Sequence, residues 1–211
     1  MKQILCFGDS NTYGLIPGTK ERYGWGVRWT SILDEKMRVH GYRVIEEGLC
    51  GRTTVFEDVL RDGRRGTAML PTILETHRPV ELVILMLGTN DCKTVYGASP
   101  ELIGQGIERL LDQIKANNPA LPVLLISPIH LGEQVWRKEY DPEFCEKSVE
   151  VSWKLPQIYR RIADKRGIGY LAASSYAGPS MIDQEHLERD GHKNLAEAIY
   201  ASIGKSKLKR Q

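Results

Sequence analysis

The feature that most restricts the fold of this chain is an alternation. Five short strand-like runs, Gln3–Phe7, Arg43–Glu47, Leu82–Leu87, Val123–Ile126 and Gly169–Ala172, are separated by longer stretches of helical periodicity. Strands that are apolar almost throughout are buried on both faces, and parallel neighbours need crossover connections, which are right-handed. The alternation therefore predicts an α/β fold, a three-layer α/β/α sandwich around a five-stranded parallel sheet. A chain of 211 residues suits one such domain over residues 1–211, and no repeat, low-complexity tract or linker divides it.

The intervening segments carry their own signals. Trp29, Ile32, Leu33 and Met37 recur at helical spacing. Ser99 is a helix N-cap with Pro100 at the first helical position, and Leu102, Ile103, Ile107, Leu110, Leu111 and Ile114 form an apolar stripe behind it. A further helix carries Leu155, Ile158, Tyr159 and Ile162, and Pro156 predicts that it starts or kinks there. The last helix is expected from about Gly191 to Ile203, with Asp190 as its N-cap. The segment 130–148, long, mixed in charge and interrupted by Pro142, has the character of a lid or subunit contact, and the basic end at 205–211 that of a solvated tail.

In an open α/β sheet ligands sit beyond the carboxyl ends of the strands, so the loops leaving them are where chemistry is sought. The first, Phe7–Gly14, reads FGDSNTYG. Gly8 releases the backbone, Asp9 hydrogen-bonds turn amides, and Ser10 leaves a hydroxyl where the strand stops. Alone, the stretch suits a tight turn with a helix N-cap as well as it suits a nucleophilic serine. After the second strand, Gly48 and Gly51 bracket a turn before Arg52, Thr53 and Thr54. The Gly51 N–H is a candidate anion donor, although both glycines are equally suited to turns that need a positive φ. The third strand ends in Gly88, Thr89, Asn90 and Asp91, where the Asn90 amide can donate to an oxyanion and where Asn and Asp are also ordinary turn residues. Three polar loops after three consecutive strands favour a shared site.

A serine hydroxyl is a poor nucleophile without a base. Of the five histidines, His40 and His77 lie near predicted helix ends and are read as structural, and His130 is a candidate substrate contact. His186 follows Asp183 by three residues, a spacing at which a turn can aim the carboxylate at Nδ1 and leave Nε2 free to take the serine proton. His192 falls in the first turn of the last helix, so His186 is the favoured base. Tyr13, Tyr23, Trp25, Val95 and Tyr96 are candidates either for shaping a pocket or for packing.

Composition narrows the partners. With 29 basic and 27 acidic residues the net charge is +2, which gives no field to attract nucleic acid or anionic lipid. No apolar run approaches the roughly 20 residues of a membrane span, and the N-terminal run is shorter than a signal-peptide core, so a cytoplasmic location is expected. Cys6, Cys50, Cys92 and Cys145 are scattered, without a CxxC pair or a histidine at zinc-ligand spacing, and are expected as reduced thiols. The absence of GxSxG argues against an α/β-hydrolase elbow, and that of GxGxxG and GxxxxGK(S/T) against a phosphate cradle.

Taken together, the loops resemble the blocks of the SGNH, or GDSL-type, serine esterases and lipases. Four blocks occur in order over nearly the whole chain: FGDSNTYG around Ser10, GLCG ending at Gly51, GTND around Asn90, and DQEH with Asp183 and His186. The stretches VRWTSIL, VIEEGL, RTT and LVILMLGTND look more particularly like the bacterial arylesterase and acyltransferase branch, whose members hydrolyse small acyl esters and are often oligomeric. The resemblance implies the flavodoxin-like SGNH hydrolase fold, with Ser10 as nucleophile, His186 as general base and then acid, and Asp183 orienting the imidazole. It implies an oxyanion hole made by the backbone N–H groups of Ser10 and Gly51 and the side-chain amide of Asn90. It further implies no metal or organic cofactor, a small acyl ester as substrate and a homo-oligomer. A chain this short leaves no room for a large cap, which favours short acyl groups. Carbohydrate O-deacetylation, thioester hydrolysis and non-catalytic ligand binding are the alternatives. One departure is visible: GDSL proteins usually carry Leu after the serine, and here Asn11 stands there, which bears on the polarity of the pocket.

Overall fold

Because successive side chains of a strand point to opposite faces, one sheet can serve two cores. In the computed structural model, which describes residues 1–207, β1 (Lys2–Gly8) sends Leu5 and Phe7 into one core and Ile4 and Cys6 into the other. With β2 (Tyr42–Gly48), β3 (Leu82–Met86), β4 (Val123–Ser127) and β5 (Gly169–Ala172) it forms a parallel sheet in the order β2-β1-β3-β4-β5. The first core is closed by α3 (Gly66–Thr76), α4 (Pro100–Asn117) and α5 (Glu146–Arg166), through Leu70, Ile107 and Leu155 among others. The second is closed by α2 (Trp29–Arg38) and α6 (Arg189–Lys207), through Trp29, Leu33, Leu195 and Ile199. The three-layer α/β/α sandwich is the one the alternation predicts, and the strand order is the flavodoxin-like one, with its switch point beside β1. No described helix is long and apolar enough to cross a membrane.

Several elements differ in detail from expectation. The Ser99 hydroxyl accepts from the Leu102 N–H at 3.2 Å and caps α4 as expected, but Leu102 itself is 40% exposed and lies off the apolar stripe. Helix α5 neither starts nor ends at Pro156, which lies inside it, and residues 146–148 of the expected lid segment form its first turn. Helix α6 starts at Arg189, so Asp190 belongs to its first turn and is not the N-cap. It continues to Lys207 into the expected tail, of which 208–211 lie outside the described residues.

The sequence reading places a helix end near His77 without giving the helix a span; α3 ends there, with His77 as its C-cap, and contains Pro71. Pro71 cannot donate to the Thr67 carbonyl one turn earlier. The Gln113 side chain of α4 donates to that carbonyl instead, at 2.8 Å, so the helix continues through the proline.

Residues 130–145 are irregular but anchored. Leu131, Val135 and Phe144 are buried in the first core, the Leu131 N–H donates to Ser152 Oγ at 3.1 Å, and the Thr94 N–H donates to the Glu143 carbonyl at 2.8 Å.

Candidate active site

At the carboxyl end of β1 the chain turns sharply into α1 (Ser10–Tyr13), a single turn. Asp9 caps it: its Oδ1 accepts from the Asn11 N–H at 3.0 Å. Ser10 therefore opens the turn at the sheet's edge, where its residue is only 3% exposed. At the far end of the chain, the turn preceding α6 is built around one carboxylate. Asp183 Oδ1 accepts from the N–H groups of Glu185 (3.1 Å) and His186 (3.0 Å), while Oδ2 accepts from the Gly18 N–H and from His186 Nδ1, both at 2.9 Å. The turn requires Gln184 at φ 63, the left-handed region that non-glycine residues seldom adopt. Its N–H donates to Ser180 O at 2.8 Å, and its carbonyl accepts from Gly132 N at 2.7 Å.

The result is that His186 Nε2 faces Ser10 Oγ at 2.9 Å. An acceptor on Nδ1 fixes the ring proton there and leaves Nε2 to accept from the hydroxyl. Burial favours a neutral His186, but the carboxylates of Glu185, Asp183 and Asp9 outweigh it and lift the ring to about 9. Burial likewise opposes charge on Asp183, yet the bonds and charge of His186 hold it down at about 2. In its neutral form, which a ring at about 9 reaches on the alkaline side, an imidazole between a hydroxyl and an ionised carboxylate can take and return a proton.

Beside Ser10, the loops leaving β2 and β3 are locked together. Gly51 takes φ +82, a conformation that suits glycine. Gly48 does not have a positive φ; it is needed for close approach, since a Cβ there would lie 2.1 Å from the Tyr13 backbone nitrogen. Asn90, 2% exposed, donates one amide N–H to the Arg52 carbonyl at 3.2 Å, which leaves its second amide N–H. Asp91 is buried and accepts from the Thr54 N–H with both oxygens at 3.0 Å and from the Thr54 hydroxyl. Burial pushes Asp91 up to about 6 despite those bonds. Arg52 lies under the turn, its guanidinium 4.2 Å from the Phe7 ring centroid and donating to the Gly8 carbonyl at 2.8 Å.

Asn11, expected to affect the polarity of a pocket, does something else. Its side chain is buried, donates to the Glu185 carbonyl at 3.3 Å and accepts from the Leu187 N–H at 2.9 Å. It thus holds the backbone on both sides of His186. Among the described residues no other histidine bonds to Ser10. His192 Nδ1 accepts from the Trp29 N–H at 3.3 Å, and burial, with the charges of Arg28 and His186, lowers it to about 3. His40 meets the Tyr200 hydroxyl and His77 the Glu47 carboxylate, at 2.9 and 2.8 Å. His130 makes no polar side-chain contact at its buried Nε2, and its ring lies 6.3 Å from that of Trp153. Tyr23 packs edge-on against His192, Tyr96 stacks on Phe56, and Trp25 and Val95 are exposed. All four cysteines are free.

A model of the GDSL-like lipase/acylhydrolase family matches residues 6–196. The chain belongs to that family. Among solved structures, the aryl esterase of M. smegmatis is similar to this GDSL-family hydrolase at 30% identity and a TM-score of 0.89, covering 97% of this chain and 99% of its own. A carbohydrate acetylesterase from Sinorhizobium meliloti is 32% identical with a TM-score of 0.89 over the same shares. No curated protein matches. Family and neighbours identify a carboxylic ester hydrolase.

Of the five expected site residues, the structure joins Ser10, His186 and Asp183 in one run of contacts, and ties Asn90 to Arg52, the residue that follows Gly51. The sequence reading took Asp91 only as a turn residue and passed over Glu185 and the latching role of Asn11. The polar residue at Asn11, where an apolar one was expected, was the only available signal for the last of these.

Proposed function

We propose that this hydrolase cleaves short-chain acyl or acetyl esters through an acyl-enzyme on Ser10. The observation that carries the proposal is the continuous run of contacts from Ser10 Oγ through His186 to Asp183, each 2.9 Å long. Ser10 attacks the ester carbonyl as His186 Nε2 takes its proton, and Asp183 stabilises the imidazolium. The tetrahedral oxyanion is held by the N–H groups of Ser10 and Gly51 and by the free amide N–H of Asn90. His186 then returns the proton to the departing alkoxide. Water, deprotonated by the same ring, releases the acid; an alcohol or peroxide in its place makes the protein an acyltransferase. No metal or organic cofactor is needed for these steps.

A second reading, deacetylation of carbohydrates, is supported by the acetylesterase name of the Sinorhizobium meliloti neighbour. A cytoplasmic homo-oligomer remains part of the proposal. In support of association, Val59, Leu60 and Val95 are 89%, 88% and 77% exposed, around a cavity of about 330 Å³.

The test is initial-rate hydrolysis of p-nitrophenyl esters of graded acyl length by the wild type and Ser10→Ala, with folding checked by circular dichroism. Rates highest on the shortest esters and lost in the variant are expected. Full activity in Ser10→Ala would discard the proposed nucleophile.

A further inference from the structure

The His186 ring has two carboxylates on its Nδ1 side. Asp183 takes the hydrogen bond. The second, Glu185, places Oε2 3.8 Å from the same nitrogen, and its side chain is only 9% exposed. Its backbone is fixed on both sides, the N–H donating to Asp183 Oδ1 and the carbonyl accepting from Asn11. No N–H or O–H among the described residues donates to its carboxylate. A carboxylate largely, though not wholly, withdrawn from water and without a protein donor is costly, and a nearby positive charge offsets that cost.

Two cations are available. Lys93, from the turn after Asn90, is committed to an ion pair with Glu143, and Asp141 adds a like charge on that side. The remaining one is His186. The other groups facing the ring are Asp9, at the end of β1, whose charge has the same sense as that of Glu185, and His192 of α6, which burial keeps neutral.

We propose that Glu185 is a positioning residue that acts through His186, as a second anionic partner that holds the imidazolium formed when Ser10 is deprotonated. Asp183 fixes the tautomer through a bond, whereas Glu185 acts by charge alone across a gap too long for one. The consequence is a base that reaches its neutral, proton-accepting form only at alkaline pH, so that the rate climbs with pH through the ring's titration. This rests on the reading of His186 as the base, but the effect on the ring itself does not.

The experiment follows the His186 ring by NMR across pH in the wild type and in Glu185→Gln, alongside the pH profile of kcat/KM for p-nitrophenyl acetate. An opposite charge within about 4–6 Å moves a titration by roughly 1–3 pH units. The ring midpoint is therefore expected to fall by about one pH unit or more in Glu185→Gln, with the acid limb of kcat/KM falling in step. Glu185→Met, which removes the polar group as well, should do the same. An unchanged ring midpoint in a folded variant overturns the proposal. The wild type gives a check that depends on no variant: the Glu185 carboxyl carbon must show an inflection at the His186 midpoint, and its absence is equally a refutation. A midpoint that falls while Ser10→Ala stays fully active would sink the serine mechanism and leave this inference standing.

Discussion

Asn11 and Asn90 are both buried amides, and they fail in different ways. Replacing Asn11 by Leu, the residue usual in GDSL proteins, leaves the Leu187 N–H without an acceptor in a buried place. An unsatisfied buried donor costs about 1–3 kcal/mol, so Asn11→Leu should unfold at lower denaturant and also lose rate, because the backbone flanking His186 is no longer held. Equal denaturation midpoints would remove Asn11 as a latch. Asn90→Ala leaves the buried Arg52 carbonyl without its donor and should lose about 1–3 kcal/mol of stability, together with about 10²–10³ in kcat, the usual cost of one oxyanion donor. Initial rates on p-nitrophenyl acetate check it, and wild-type turnover would take Asn90 out of the mechanism. At this scale His186 was legible because its carboxylate lies three residues away in the chain. The partners of Asn11 lie at Glu185 and Leu187, and nothing local announces a bond across such a separation.

Elements were legible where their ends carried chemistry. Ser99 and Pro100 announced α4, and the apolar runs announced the strands. Of α3 only the end near His77 was legible, because its continuity depends on Gln113 of another helix, which supplies the hydrogen bond Pro71 cannot. The start of α5 was missed for a related reason, since a proline inside a helix resembles a proline at its edge. Gly48 was credited with a turn geometry it does not have; its real constraint is the backbone of α1 pressed against the end of β2. Gly48→Ala is accordingly expected to destabilise by about 1–3 kcal/mol, the range for overfilled packing, and to displace the turn that carries Ser10. Chemical denaturation with rate measurements tests this, and an unperturbed variant would mean that the two elements part without cost.

For the molecule as a whole, the site makes stability depend on pH. His186 stands at about 9 when folded against an ordinary 6.5, so its contribution is complete below pH 6.5 and disappears as pH rises through 9. Asp183, at about 2 against 3.8, contributes above pH 3.8 and loses that contribution as pH falls through 2. Thermal melts should thus show Tm declining between pH 6.5 and 9, and His186→Gln should flatten that decline. A wild-type Tm constant over this window would contradict the charge arrangement around the ring. The overall architecture was readable because alternation and burial leave few topologies open. The charge arrangement was not, since it arises only when β1, the turn after β3 and the turn before α6 are brought to one edge.

The latch from Asn11 to Glu185 and Leu187 joins the opening turn of the sheet to the last turn before α6. Synthesis proceeds from one to the other, so a ribosome must deliver almost the whole domain before Ser10 and His186 can meet. An esterase wired in this way reports its own completion. A chain cut before Ser180 is expected to lose hydrolysis until its two fragments reassociate, so that regained hydrolysis times their reunion.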